Sequence, residues 1–172
     1  MKYLVALAGG FLAAVLTASL SPYIRVLGVA PDFVLILATC WAMVRGQQEA
    51  MFVVPLAGLL RDLTTSDPLG LSVLALSPIV FLASLRELRP VESDFLPALA
   101  VVAAASLAYS IISMTVLTAV GDEVPWGAAL LRLTVPAMVV NPLFAVIMYP
   151  PMRWLSPRPR PASFGVGSAV QL

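Results

Sequence analysis

The stretch Phe95–Val120, FLPALAVVAAASLAYSIISMTVLTAV, runs for 26 residues without a charge. About 20 apolar residues suffice to cross the hydrocarbon core of a bilayer as a helix. This segment is therefore read as a transmembrane helix with length to spare for tilt. A soluble amphipathic helix would alternate a buried face with a polar one, and no polar face is present. The rest of the chain agrees. Of 172 residues, 60% are hydrophobic and 11% charged, with a mean hydropathy of +0.98. Soluble domains carry roughly a quarter of their residues charged.

Further apolar runs lie at residues 128–149, ended by Pro150-Pro151, and at 71–85 and 3–20. Two others, 33–44 and 50–60, are too short to cross alone. The first reaches crossing length only if residues 26–30 join it across Pro31-Asp32. The expected fold is an all-α integral membrane protein, a bundle of about six transmembrane helices. In an alternative, runs 33–44 and 50–60 form a re-entrant hairpin dipping in from outside. Residues 1–155 make a single transmembrane domain. Residues 156–172, SPRPRPASFGVGSAVQL, read as a disordered cytoplasmic tail containing proline and arginine. The run at 3–20 is long for a signal peptide and its small-residue site, Thr17-Ala18-Ser19, is weak, so it reads as a retained helix.

Basic residues in short loops set the orientation. With six spans, Lys2, Arg45, Arg86, Arg89, Arg153, Arg158 and Arg160 share one side, against Arg25, Arg61 and Arg132 on the other. Both termini are therefore expected in the cytoplasm.

The composition excludes several classes of function. Ten basic and nine acidic residues leave no basic face for nucleic acid. Without histidine and with one cysteine, the chain builds no His-based triad, no thiolate cluster and no disulfide, and no metal or cofactor is expected. Cys40, inside an apolar run, reads as an inert buried thiol. No acid lies in the middle of an apolar run, as an intramembrane aspartyl protease would need. Lys2 is the only lysine, so a membrane serine protease lacks a base. No phosphate-cradling GxxxxGK loop is present. An enzyme is not expected.

Three groups of residues stand out. Ala6, Gly10, Ala14 and Ala18 recur every fourth position in the first run, beside Gly9, Ala13 and Thr17. Such a stripe lets two helices approach closely, either within this bundle or against a partner's helix. The fifth run repeats the pattern with Ala100, Ala104, Ala108 and with Ser106, Ser110. In the last run, Pro142 cannot donate to the carbonyl of Met138, so a kink is expected there. The adjacent Asn141 would tie two helices together or wall a polar cavity. The acids Asp32, Asp62 and Asp67 fall at the ends of the short runs, where water can solvate them. Arg61 is placed to neutralise Asp62, and Arg25 to pair with Asp32. The span interiors hold few polar residues, chiefly Thr39, Ser106, Ser110 and Asn141, which argues against a tightly bound polar ligand.

The central third carries an ordered set of short motifs. Pro31-Asp32-Phe33 precedes the second run and Arg45-Gly46 follows it. Gly58-Leu59-Leu60-Arg61-Asp62 closes the third run, and Pro68-Leu69-Gly70-Leu71 opens the fourth. Asn141 lies in the last run, with Tyr149-Pro150 before Arg153. Over roughly residues 20–155, this order and spacing resembles the MreD family of rod-shape-determining proteins. Met51-Phe52 and Pro55 stand where that family often has a glycine.

The resemblance implies a non-enzymatic scaffold of the bacterial elongation machinery in the cytoplasmic membrane. Its partners would be the single-pass membrane protein MreC and, directly or through MreC, a RodA-type glycosyltransferase and a class B penicillin-binding protein. It would thereby support peptidoglycan synthesis. The resemblance also implies the fold of substrate-binding subunits of energy-coupling-factor transporters, so a vitamin-capturing subunit is the alternative reading. The residues singled out for partner binding or structure are Ala6, Gly10, Ala14, Ala18, Asp32, Arg45, Gly58, Asp62, Gly70 and Asn141. Gly58 would permit close approach, and Asp62 would cap or pair.

Overall fold

The computed structural model describes the backbone of residues 2–20, 23–87 and 95–155, and the side chains of 9–20, 23–84 and 95–154. The side chains of Lys2, Ala6, Arg86 and Arg89 and the whole tail at 156–172 lie outside the described residues. The described chain is helical: α1 Lys2–Leu20, α2 Phe33–Arg45, α3 Gln47–Asp62, α4 Leu71–Leu76, α5 Pro78–Glu87, α6 Phe95–Val120, α7 Trp126–Ala129 and α8 Val135–Leu155. Ser77 alone separates α4 from α5, and a π turn at Leu130–Thr134 joins α7 to α8 in one continuous rod. Two helices, Phe95–Val120 and Trp126–Trp154, are long and apolar enough to cross a membrane.

α2 is the axis of the bundle. It packs against α1, α3, α5, α6 and α8. Eleven of its 13 residues are buried, from Phe33 to Val44 with only Leu37 partly open. At 1.5 Å per residue α2 is about 20 Å long and α3 about 24 Å, against about 39 Å for α6. A helix in contact with lipid would have to match the bilayer thickness of about 30 Å. α2 is enclosed by protein on all sides, so this constraint does not apply to it. Its apolar run has no polar face because no side of it meets water. Phe33 and Phe144 anchor it to α8, edge to face with ring centroids 5.8 Å apart.

The start of α2 differs from the extended helix that would need residues 26–30 to join it. Those residues instead form a turn closed by a bridge between Val26 and Val29, with Leu27 at its tip in the left-handed region, φ 55°. Proline disfavours helical backbone in the residue before it, and Pro31 cuts the helix off there. Asp32 then caps α2, its Oδ1 accepting the N–H of Leu35 at 3.0 Å.

α2 and α3 form a tight antiparallel hairpin about Gly46, whose φ of 91° is open to glycine at little cost. Trp41 and Val53, near that turn, pack on Met152 near the end of α8. Tyr149 of α8 packs on Phe95 at the start of α6, ring centroids 6.0 Å apart. The Gly46 turn, the start of α6 and the end of α8 therefore share one end of the bundle. These contacts also explain why α8 continues to Leu155 through Pro150-Pro151, where the sequence suggested a stop. Tyr149 is buried and Met152 is held by the core, so packing of the last turn outweighs the freed carbonyls.

Candidate functional site

Because α2 is short, its first turn begins inside the bundle. The N–H of Asp32 donates to Asn141 Oδ1 at 3.0 Å. Asn141 Nδ2 donates in turn to Ser106 Oγ at 2.9 Å, and that hydroxyl donates to the carbonyl of Val102 at 2.8 Å. Ser106 lies near the middle of α6, so the chain of bonds holds Asp32 at mid-height of the longest helix. Asn141 is buried, at 3% exposure. It joins α2, α6 and α8 at one point, in keeping with the expected tie between helices.

Arg61, in the last turn of α3, reaches across the hairpin and pairs with Asp32 through its Nη1 and the carboxylate Oδ2. Both side chains are mostly withdrawn from solvent, at 15% and 14% exposure. The guanidinium also lies over the ring of Tyr109 on α6, 4.6 Å from its centroid, a cation–π contact. Arg61 Nε is buried without a hydrogen-bond partner among the described residues. Beside these groups is a cavity of about 290 Å³, whose polar lining is Thr17, Asp32, Arg61, Ser106, Tyr109, Ser110 and Asn141.

A second polar cluster fixes the corner between α3 and α4. Asp62 is 2% exposed. Its Oδ2 accepts the N–H of Gly70 at 2.7 Å, and its Oδ1 accepts the N–H of Ser72 at 3.0 Å. Those N–H groups open α4 and have no intrahelical partner, so Asp62 caps α4 from the end of α3. Gly70, at φ 94°, turns the chain into the helix. One turn before Asp62, Gly58 lies directly on that corner: a Cβ there would stand 2.7 Å from Val73 Cα and 2.8 Å from Val73 N. The segment from Gly58 to Gly70 is thus a built joint, with the glycine giving the approach and the acid the cap.

The other singled-out residues divide between packing and surface. Gly10 faces α3, a Cβ there lying 3.5 Å from Leu60 Cδ1 and 4.0 Å from Ala57 Cβ. Ala13 and Ala14 are buried, whereas Ala18 is exposed. The described part of the α1 stripe is therefore largely used inside the bundle. Arg45 lies at the opposite end of α2, 5.3 Å from the Trp41 ring centroid and 3.8 Å from Glu49.

Two expectations are corrected. Asp32 and Asp62 are not solvated helix-end acids: the first is ion-paired and the second buried against backbone N–H groups. Asp67 alone of the three is exposed. Nor does Arg61 neutralise Asp62 or Arg25 pair with Asp32; Arg61 pairs with Asp32, and Arg25 is exposed. The sequence reading missed Tyr109. Its one signal was a phenol inside an apolar run, since a buried tyrosine hydroxyl usually finds a partner; here Ser72 Oγ lies 3.5 Å away. Of the interior polar residues named, Thr39 is spent on its own helix, bonding the Leu35 carbonyl at 2.7 Å. Ser106, Ser110 and Asn141 converge on the cavity.

Residues 2–157 match the family of the rod shape-determining protein MreD. The chain belongs to the MreD family. It is accordingly a membrane protein with a role in determining rod shape. The matched region takes in every helix described above, and the two polar clusters fall on the motifs that carried the resemblance. In this MreD-family chain, Pro31-Asp32-Phe33 and Gly58–Asp62 are brought together by the α2–α3 hairpin. No curated protein and no solved structure matches the chain.

Proposed function

We propose that the chain is a non-enzymatic scaffold of the bacterial cell-elongation machinery, crossing the cytoplasmic membrane several times with both termini in the cytoplasm. It holds a single-pass protein of the MreC type by helix-on-helix packing. Through that protein it supports a RodA-type glycosyltransferase and a class B penicillin-binding protein in peptidoglycan synthesis. The observation that carries this reading is the MreD-family match over residues 2–157.

The geometry supports it in two ways. The end of the bundle bearing Gly46 and the close of α8 also bears Arg45 and Arg153, in keeping with the positive-inside rule. Gly10 and Ala14 are engaged within the bundle, so the surface offered to a partner helix from α1 is the other face, with Phe11, Leu12, Val15 and Ala18 exposed. We further propose a bundle of about six transmembrane helices with the fold of energy-coupling-factor substrate-binding subunits, in which the short, enclosed α2 starts at mid-height instead of crossing in full.

Depletion of the chain in its host tests the role. Rod-shaped cells are expected to round up and to regain their shape when the full-length chain is restored. Rods that persist after complete depletion would overturn the reading. The alternative, a vitamin-capturing transporter subunit, is favoured by one observation, the polar cavity at the start of α2. It requires a membrane coupling subunit and ATPases as partners.

A further inference from the structure

The helices differ in height, and the difference falls on one flank of the bundle. α6 runs for about 39 Å and α3 for about 24 Å. Both start at the end that bears the Gly46 turn. Two contacts fix the level at which α3 stops. Arg61, in its last turn, lies over the Tyr109 ring, and Ser72, at the start of α4, lies 3.5 Å from the Tyr109 hydroxyl. α6 continues past that level from Ser110 to Val120, about 16 Å further.

The flanks therefore need different solvents at one height. α3 turns an apolar stripe outward, Met51, Pro55, Leu59 and Leu63, with Ala50, Val54 and Gly58 buried behind it. The stripe is about 18 Å tall. Below it lie the exposed Gln48 and the Arg45–Glu49 pair. Above it the non-helical stretch Thr64–Asp67 is exposed throughout. Irregular backbone open to lipid does not occur within hydrocarbon, because its N–H and C=O groups find no partners, and a carboxylate such as that of Asp67 is costly there. Water must reach this corner. α4 and α5, packed on α3, are short too: together they run from Leu71 to Glu87, about 25 Å, and expose Leu74 and Phe81. On the α6–α8 flank the demand is reversed. The Ser106–Asn141 bond sets the register of these two helices, so Val139 stands near the level of Tyr109. Val139, Val135 and Ile111 are all exposed and apolar at or beyond that level, where they belong in lipid.

A bilayer core is about 30 Å thick. An apolar surface shorter than the core is met by thinning of the bilayer, by snorkelling of flanking side chains or by association with another protein. Tilt lowers a short face further. Snorkelling needs long side chains; Thr64, Thr65, Ser66 and Asp67 have short ones, and Arg61 is bound to Asp32.

We infer that the partner of the α3–α5 flank is the bilayer itself, and that this flank thins it. The hydrocarbon beside α3 is held to roughly 20 Å, the height of the stripe, while beside α6 and α8 it keeps its full depth. This goes beyond the scaffold reading and does not depend on which protein the chain holds.

The test is power-saturation electron paramagnetic resonance of the full-length chain in bilayers of phosphatidylcholine with 18-carbon chains, with a nitroxide on one introduced cysteine at a time. Ser66→Cys and Thr65→Cys report the α3–α4 corner, Val139→Cys and Ile111→Cys the other flank near the same level, and Leu59→Cys the stripe. Cys40 is buried and stays unlabelled. Each flank has two reporters, so if one variant fails to fold the other decides. Labels at the corner are expected to collide with a water-soluble nickel complex roughly tenfold more often than labels at Val139 and Ile111, since hydrocarbon excludes polar solutes. The label at Leu59 is expected to collide with oxygen, as one in lipid does. Corner labels shielded from nickel, labels at Val139 and Ile111 as open to it as the corner, or spin–spin broadening at Leu59 from a second copy covering the stripe would each overturn the inference.

Discussion

Arg61 and Asp32 lie 29 residues apart in sequence and close the open end of the α2–α3 hairpin, opposite its turn at Gly46. The pair joins two of the short motifs on which the family resemblance rested. Both groups are mostly buried, so each depends on the other for its charge to be tolerated. Removing one partner of a buried pair costs about 3–5 kcal/mol, because the survivor is left uncompensated, whereas removing both is much milder. Asp32→Asn and Arg61→Met should each lower the melting temperature of the purified protein strongly. The double variant should be more stable than either single one. Asparagine can still cap α2, so the cycle isolates the charge. Additive losses would show that the two residues do not act as a pair.

Asp62 satisfies two backbone N–H groups at the start of α4. Asp62→Ala leaves the Ser72 N–H buried and unpaired, at about 1–3 kcal/mol, whereas the N–H of the exposed Gly70 can turn to water. Asp62→Asn keeps one acceptor oxygen and should fall between alanine and wild type. Hydrogen exchange at Gly70 and Ser72 reads the effect locally: protection there should drop in the alanine variant while α6 keeps its own.

Gly58 and Gly10 give opposite expectations for the same substitution. A methyl at Gly58 meets the backbone of Val73, which cannot move aside without shifting α4. Gly58→Ala should destabilise by about 1–3 kcal/mol, as overpacking does. At Gly10 the nearest atom is the tip of Leu60 at ordinary contact distance. Gly10→Ala should be neutral or stabilising by up to about 1 kcal/mol, since alanine restricts the unfolded chain. Thermal melts of the two variants side by side decide this.

Asn141 carries the bond that fixes the start of α2. Asn141→Ala should cost about 1–3 kcal/mol by orphaning the Asp32 N–H and depriving Ser106 Oγ of its donor. Its effect should not add to that of Ser106→Ala, since residues in one network couple. Full additivity in a double-mutant cycle would contradict the network.

The helical class was legible from the uncharged run Phe95–Val120, and most helix positions from the apolar runs. The ends were less so. Pro31 alone gave no way to tell a kink from a start, and Pro150-Pro151 looked like a stop until Tyr149 and Met152 were seen packed in the core. The site was harder to read. Asp32 and Asp62 were visible as residues of interest, but an acid at the end of an apolar run looks solvated in sequence. Only the length difference between α2 and α6 reveals that the end of one helix is the middle of another. Arg61 had an acid beside it in sequence and chose a distant one, a choice set by the hairpin. The polar residues of the spans were counted one by one as few, and their convergence on one cavity is a property of packing.

The most direct test of the scaffold role is purification of the tagged chain from native membranes in mild detergent, with mass spectrometry of the proteins that accompany it. A single-pass protein of the MreC type is expected in stoichiometric recovery, with or without the wall synthases. Recovery instead of a transmembrane coupling subunit with its ATPases would contradict the scaffold reading and make the chain a transporter's substrate-binding subunit.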